Sequence, residues 1–253
     1  PAVLVKDTKL SCYNAGRDAQ KIPFYTAVEE VILSRATPKL IILDVLPYEL
    51  VTDNAKYERL TILLPYCKNH PELISYIKEV SPFEPYKLFS QTYPFNSALF
   101  ISLYNHLLEK KVEDTERGYQ ALTHVLTPEE MLDLSGRMKL YEAKSGDYGS
   151  EKFMDRKSVV YYERFLENAR KKGIKTVVCI SPSLFTEQET FIKKKLKEVA
   201  EKYPNVSFVD YSNDPKYQGR RELFSDQFHL NATGAHMFSE QMHQYLTERS
   251  LLK

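Results

Sequence analysis

Two residues three positions apart, Asp226 and His229, offer the clearest chemistry in this sequence. They stand in residues 225–234, after the last apolar run and before a pattern that predicts a terminal helix. A weak hydroxyl nucleophile needs a base within hydrogen-bond reach, and that base needs an acid to fix its tautomer. The spacing allows one ring nitrogen of His229 to face Asp226 or a nearby carbonyl oxygen, which leaves the other nitrogen free for a nucleophile.

The same spacing also has a purely structural interpretation. Asp-x-x-His arises often by chance, and an aspartate that caps a helix beside a packed histidine would look identical. The position of the pair favours chemistry, because it follows the last predicted strand, and open α/β sheets bind ligands beyond the carboxyl ends of their strands.

The surrounding elements predict an α/β fold with a parallel sheet. Strands are expected at residues 10–13, 40–43, 174–180 and 206–210. Helices are expected at residues 24–36, 151–172, 186–203 and 231–246. Strands that alternate with helices in this way are typical of parallel sheets covered by helices on both faces. Gly173 is placed to end the second of these helices.

Residues 56–150 depart from the alternation and predict a helical insertion in a single domain that spans residues 1–253. Residues 56–111 have helical signals rich in Tyr and Phe, interrupted by prolines. Residues 112–149 are more polar and less periodic. Two interpretations of this second part stay open: an excursion over the active face, or a plain structural insertion or loop.

Composition excludes several other classes of protein. Lys and Arg total 35 against 34 Asp and Glu, so a basic footprint for nucleic acid is absent. Three widely spaced cysteines without a C-x-x-C argue against a disulfide framework or a zinc site. His236 and His243 lie about 10 Å apart along the predicted last helix, too far for two ligands of one ion. No metal or other cofactor is predicted, and no apolar run approaches the roughly 18 residues of a membrane span.

Residues 224–235, with the sequence Phe-Ser-Asp-Gln-Phe-His-Leu-Asn-Ala-Thr-Gly-Ala, resemble the C-terminal block of the SGNH (GDSL-type) hydrolases. The order of elements is also similar to that family's flavodoxin-like, three-layer α/β/α fold, and its cell-envelope branches, the DltD-like proteins among them, carry similar helical insertions. The resemblance covers most of the chain apart from the insertion. It implies an esterase, deacetylase or O-acyltransferase that acts on an acyl ester, with an O-acetyl group of a carbohydrate as the expected substrate. In that chemistry His229 is the base and Asp226 orients it.

The resemblance also implies an oxyanion loop. Residues 14–19, Asn-Ala-Gly-Arg-Asp-Ala, are similar to the family's second block, so Asn14 and Gly16 belong to this loop. Ala19 stands where the family has its oxyanion glycine, and a backbone N–H donates from either residue if the backbone angles suit. Tyr48 aligns with the family's side-chain amide. Two interpretations of Tyr48 stay open: a donor through its hydroxyl group, or an ordinary surface aromatic residue.

The family's nucleophilic serine follows its first strand, upstream of the second block. Ser11 lies inside the run that predicts the second strand, so the nucleophile is expected upstream of Pro1. An alternative is a non-catalytic SGNH-like protein that binds a glycan or an envelope partner, which the departures at Ala19 and Tyr48 favour. A nucleotide binder is disfavoured because no Gly-rich loop follows a strand. The resemblance implies the cell envelope, periplasm or exterior, although unpaired cysteines suit a reducing compartment equally well.

Overall fold

A three-stranded parallel sheet forms the centre of the protein in a computed structural model that describes residues 1–95, 104, 107, 116–145 and 149–252. Its order is β1-β2-β3, with β1 at Leu40–Asp44, β2 at Lys175–Ile180 and β3 at Val206–Asp210. In the parallel register Asp44 is opposite Cys179, and Ile180 is opposite Asp210. The carboxyl ends of the three strands therefore lie along one edge of the sheet.

Helices surround this sheet throughout the described residues. They are α1 Ile22–Arg35, α2 Ala55–Glu58, α3 Ile74–Val80, α4 Pro128–Ser145, α5 Arg156–Lys171, α6 Phe191–Glu201 and α7 Ala232–Glu248. Short 3₁₀ turns connect them, among them Val3–Val5, Pro47–Leu50, Arg59–Tyr66, Pro71–Leu73, Glu84–Phe89, Tyr93–Phe95, Glu151–Phe153 and Arg221–Leu223. None of the described helices is long and apolar enough to cross a membrane.

The side chains of the central strand, β2, show that both faces of the sheet are covered by helices. Successive side chains of a strand point to opposite faces of the sheet. Val177 and Cys179 pack in one cluster with α7, whereas Val178 and Ile180 pack in another with α1, α5 and α6. All four side chains are buried, as a continuous apolar run predicts for a strand covered on both faces. The predicted three-layer α/β/α fold with a parallel sheet is confirmed.

The prediction of a strand at residues 10–13 is wrong. Residues 10–17 have no regular structure, and Tyr13 is exposed. An isolated strand gains its hydrogen bonds only from a neighbour, and no strand pairs with this stretch in the described part of the chain. The N–H of Asn14 donates instead to the carbonyl oxygen of Arg117, at 2.9 Å.

The described part of the predicted insertion shares the core of the sheet. Residues 55–95 form short helical segments, and their buried side chains cluster with Leu43 and Val45 at the end of β1. These side chains include Leu60, Leu63, Leu64, Leu73, Tyr76 and Ile77. The remainder of the insertion predicted at residues 56–150 is described only at 104, 107, 116–145 and 149–150; the other positions lie outside the described residues.

Helix α4 occupies residues that lack clear periodicity in the sequence. A capping box starts it: the Glu130 N–H donates to Oγ1 of Thr127 at 3.2 Å, and the Thr127 N–H donates to Oε2 of Glu130 at 2.8 Å. Thr-Pro-Glu-Glu is a helix-start signal that periodicity alone does not reveal. This helix lies within the insertion predicted at residues 56–150, in the part that has the weaker periodicity.

Caps also correct the starts of two other helices. Asp155 accepts from the Lys157 N–H and starts α5 at Arg156, five residues later than predicted. Thr190 accepts from the Lys193 N–H at 3.1 Å and starts α6 at Phe191. At the C-terminal end of α5, Gly173 has φ of +68°, as predicted for a glycine that terminates a helix.

Candidate functional site

Asp226 folds the loop that carries His229. One carboxylate oxygen, Oδ1, accepts from the backbone N–H of Phe228 at 2.8 Å and of His229 at 2.9 Å. The Ser225 N–H donates to the carbonyl oxygen of His229 at 2.8 Å and closes the turn. The carboxylate thus shapes the backbone locally, as Asp commonly does in turns.

The entry to α7 anchors this loop from its other end. Asn231 caps the helix through Oδ1, which accepts from the Gly234 N–H at 3.0 Å, and its Nδ2 donates to the Glu222 carbonyl oxygen at 2.8 Å. A Cβ on Gly234 would lie 2.2 Å from the carbonyl oxygen of Leu223, so only glycine fits there. The Asn and the Gly of the motif are explained by backbone geometry.

The second oxygen of Asp226 completes the predicted pair. Its Oδ2 lies 2.7 Å from Nδ1 of His229, while 53% of the His229 side chain and 50% of the Asp226 side chain stay exposed. A carboxylate only accepts hydrogen bonds, so Nδ1 carries the proton and the neutral ring presents its lone pair at Nε2. Among the described residues no side-chain hydroxyl lies within hydrogen-bond distance of Nε2.

Electrostatics favour the charged form of both partners. The hydrogen bond to Asp226 raises the pKa of His229; partial burial opposes it, and the charges of Asp226, Asp18 and Asp44 add to the increase. Partial burial acts to raise the pKa of Asp226, but its hydrogen bonds with His229 and Phe228 outweigh burial and lower it. The imidazole is therefore a stronger base than an isolated histidine.

The charge of Asp18, in the predicted oxyanion loop, acts on His229. Within the loop, Oδ1 of Asn14 accepts from the Gly16 N–H at 2.9 Å. Ala19 has φ of +58°, in the left-handed region that favours glycine, and its carbonyl oxygen accepts from Arg59 at 2.6 Å. A non-glycine residue there costs roughly 1 kcal/mol. Ala19 therefore retains the backbone conformation of a glycine.

Tyr48 reaches the site from the turn Pro47–Leu50, which follows β1. Its ring lies 5.6 Å from the ring of Phe228, the neighbour of His229, and Nζ of Lys21 lies 5.3 Å from its centroid. Burial and the nearby carboxylates raise the pKa of Tyr48 to about 12. The phenol is thus protonated at physiological pH and can donate a hydrogen bond.

Residues 116–126 connect the two loops. The Arg117 carbonyl oxygen accepts from Asn14 at 2.9 Å, and the Leu122 carbonyl oxygen accepts from the Ala232 N–H at 2.7 Å. Of the two interpretations of residues 112–149, this contact pattern favours the excursion along the site for residues 116–126.

Asp44 is a further group at this edge of the sheet that is not among the predicted site residues. It ends β1, and its Oδ1 accepts from the Ser181 N–H at 3.1 Å, just beyond the end of β2. Solvent reaches the carboxylate, but protein atoms crowd its other sides, and this burial raises its pKa to about 6. An aspartate at the end of an apolar run is the sequence signal that could have identified it.

The same edge of the sheet holds a second ion pair, in which the lysine is buried and the aspartate is partly exposed. Nζ of Lys193 lies 2.7 Å from Oδ2 of Asp210 at the end of β3, and it also donates to Oγ of Ser212 at 2.7 Å. Asp210 accepts from the N–H of Ser212 at 2.9 Å and from its hydroxyl at 2.7 Å. Lys193, Asp210 and Ser212 therefore satisfy much of one another's hydrogen-bonding capacity.

The other residues that were candidates for metal ligands do not lie together at one site. Nδ1 of His243 lies 3.0 Å from the carbonyl oxygen of Leu4, while His236 is exposed on α7. Cys12, Cys67 and Cys179 are free thiols. Over the described ranges, no group of three or more His, Cys, Asp or Glu side chains is arranged to hold a metal ion.

Comparison of the chain with family models, with curated proteins and with solved structures finds no match. The site must therefore be interpreted from its own geometry.

Proposed function

We propose that this chain is the base-bearing part of an SGNH-type hydrolase or O-acyltransferase that acts on an acyl ester by Ser-His-Asp chemistry. The observation that carries the proposal is the 2.7 Å contact between Asp226 and Nδ1 of His229, with Nε2 unpartnered among the described residues and half of the ring exposed. An O-acetyl group on a carbohydrate is the proposed substrate, and the cell envelope is the proposed location.

His229 acts as the proton carrier. As a serine Oγ bonds to the ester carbonyl carbon, Nε2 takes the serine proton; when the tetrahedral intermediate collapses, Nε2 gives that proton to the departing alcohol. Water in a hydrolase, or an acceptor hydroxyl in a transferase, then attacks the acyl-serine by the same route. Asp226 holds the Nδ1–H tautomer and stabilises the imidazolium that forms in each half-reaction.

Ala19 and Tyr48 are the proposed donors to the oxyanion. The left-handed backbone of Ala19 supports this role, because the loop adopts the conformation that a glycine would give it. Tyr48 supports it with a hydroxyl group whose pKa of about 12 keeps the donor proton in place. Fixed donors aimed at developing negative charge are worth several kcal/mol in acyl transfer.

The nucleophile is assigned to a serine that precedes Pro1 in the natural protein. This follows the family resemblance and agrees with the absence of a hydroxyl partner for Nε2 among the described residues. The same absence favours the second candidate, a non-catalytic protein of this fold that binds a glycan or an envelope partner.

Turnover by the natural-length protein decides between the two. We expect hydrolysis of 4-nitrophenyl acetate, and a decrease in kcat/KM of about 10³-fold or more in the His229→Ala variant, since members of a catalytic triad act as a unit. His236→Ala is the matched control, because it removes an exposed histidine from α7.

Turnover that is equal in wild type and His229→Ala would exclude the base role of His229. No turnover in the wild type, together with binding of an acetylated glycan, would favour the non-catalytic candidate.

A further inference from the structure

Asp44 occupies the position where parallel α/β sheets meet their ligands. It is the last residue of β1, beside the start of the loop that follows β2, and its side chain is accessible to solvent. Ligands of open parallel sheets bind beyond the carboxyl ends of the strands. The place of Asp44 in the fold is therefore that of a ligand-contacting residue.

Asp210, which ends β3, shows what a structural aspartate looks like at the same edge. It lies 2.7 Å from Nζ of Lys193 and accepts two hydrogen bonds from Ser212. Asp44 has no such partner: in the part of the chain that the structure describes, no Lys, Arg or His nitrogen lies within 4.0 Å of its carboxylate. The N–H of Ser181 donates to its Oδ1 at 3.1 Å, and the side chains of Ser181 and Cys179 also act on it as hydrogen-bond donors. These donors are neutral, and a carboxylate has roughly four acceptor sites, so capacity for one further donor remains.

The turn that follows Asp44 packs against the loop that carries His229. Tyr48, four residues further along the chain, packs its ring at 5.6 Å from Phe228. The charge of Asp44 acts on both His229 and Tyr48, and the charge of His229 acts in turn on Asp44. The turn after β1 and the loop that carries His229 are thus two walls of one site.

We propose that Asp44 is a specificity-determining residue that accepts a hydrogen bond from a hydroxyl group of the ester substrate or of the acyl acceptor. This inference rests on the proposed function and names the chemistry of the substrate that the site selects. Asp226 contacts His229 at 2.7 Å, and the negative charges of Asp18 and Asp44 also act on the ring, which favours neutral, hydroxyl-rich esters over anionic ones.

The test compares two acetyl esters with the natural-length protein. One is 4-nitrophenyl acetate, which has no hydroxyl group, and the other is a mono-O-acetylated N-acetylglucosamine. In Asp44→Ala we expect the ratio of kcat/KM, sugar ester over aryl ester, to fall about tenfold or more, because a hydrogen bond to a charged acceptor is lost. Asp44→Asn keeps an acceptor oxygen and should recover part of the ratio. Asp133→Ala removes the same charge from the exposed surface of α4 and should leave the ratio unchanged.

An unchanged ratio in both Asp44 variants, with turnover intact, overturns this inference and leaves the proposed function standing. If the wild type turns over neither ester, the catalytic proposal fails, and binding of the sugar ester, followed through the NMR signals of the His229 ring, decides the role of Asp44. Weaker binding in Asp44→Ala than in Asp133→Ala supports the inference, whereas equal binding, or no binding by the wild type, overturns it.

Discussion

Two carboxylate–cation pairs lie at the same edge of the sheet, and they differ in what they leave free. Lys193 and Asp210 lie 2.7 Å apart, and the Lys193 side chain is only 4% exposed. His229 and Asp226 lie at the same distance, but both are half exposed. In the first pair Ser212 takes up remaining hydrogen-bonding capacity, whereas in the second Nε2 has no partner among the described residues.

This difference indicates that one pair supports the stability of the fold and that the other is available for chemistry. A buried cation that is satisfied on all sides stabilises a fold only if its partners stay in place. A half-exposed histidine whose orientation is fixed by a carboxylate has a nitrogen available to a substrate or nucleophile. Changes to the Asp226–His229 pair should therefore affect activity, and changes to the Lys193–Asp210 pair should affect stability.

Asp226→Asn should produce the largest effect. An amide at position 226 can donate to the ring and favour the wrong tautomer, so we expect kcat/KM to fall about 10³- to 10⁴-fold. The measurement is ester turnover by the natural-length protein. Asp226 also holds the loop through two backbone N–H groups, so crystallography or NMR of the variant must show the loop retained.

Lys193→Ala should reverse this pattern. Removing the lysine leaves the partly exposed Asp210 carboxylate with its Ser212 hydrogen bonds but without its cation, and we expect the free energy of unfolding to fall by about 2 kcal/mol, with kcat/KM little changed for the folded fraction. Denaturant unfolding measures the loss. Lys197→Ala, on the same helix but exposed, is the control and should shift stability by less than about 0.5 kcal/mol.

The two functions of His229 should respond to pH in opposite directions. Its raised pKa means that protonation stabilises the folded state: this contribution is complete below the ordinary value of 6.5 and is lost as the pH rises through the folded-state pKa. Catalysis needs the neutral ring, so activity should fall about tenfold per pH unit below that pKa. The apparent pKa of the acidic limb in the pH profile of kcat/KM should lie above 6.5; an apparent pKa below 6.5 would contradict the electrostatic account.

Ala19→Gly should give the smallest effect, a gain in stability of up to about 1 kcal/mol. Glycine adopts the left-handed conformation of this position without steric cost, which offsets its larger entropy loss. Thermal unfolding measures the change, and Ala19→Val should lower stability instead. A lower stability in Ala19→Gly would show that the loop does not have this conformation in solution.

Sequence patterns predict the local features of this protein well. Residues 177–180 of β2 form a continuous apolar run, and the spacing of Asp226 and His229 brings them together within a single turn, so neither depends on distant residues. Capping signals are also local, and the Thr-Pro-Glu-Glu at the start of α4 is evident once caps are considered with periodicity.

Features that depend on distant residues could not be predicted in this way. The contact between Asp44 and Ser181 joins residues 137 positions apart, and only the parallel register of β1 and β2 creates it. The prediction of a strand at residues 10–13 is wrong for the converse reason: residues that favour a strand form one only when a neighbouring strand supplies the hydrogen bonds. The proposed role of Asp44 therefore rests on the fold, and the proposed role of His229 rests on the sequence.

Labelling with a fluorophosphonate probe tests the central claim most directly, because the probe reacts only with a serine that a neighbouring base activates. In the natural-length protein we predict that mass spectrometry finds one modified serine, that it precedes Pro1, and that His229→Ala abolishes the modification while His236→Ala does not. No modified serine in the wild type, or equal modification in wild type and His229→Ala, would contradict the assignment of His229 as the catalytic base.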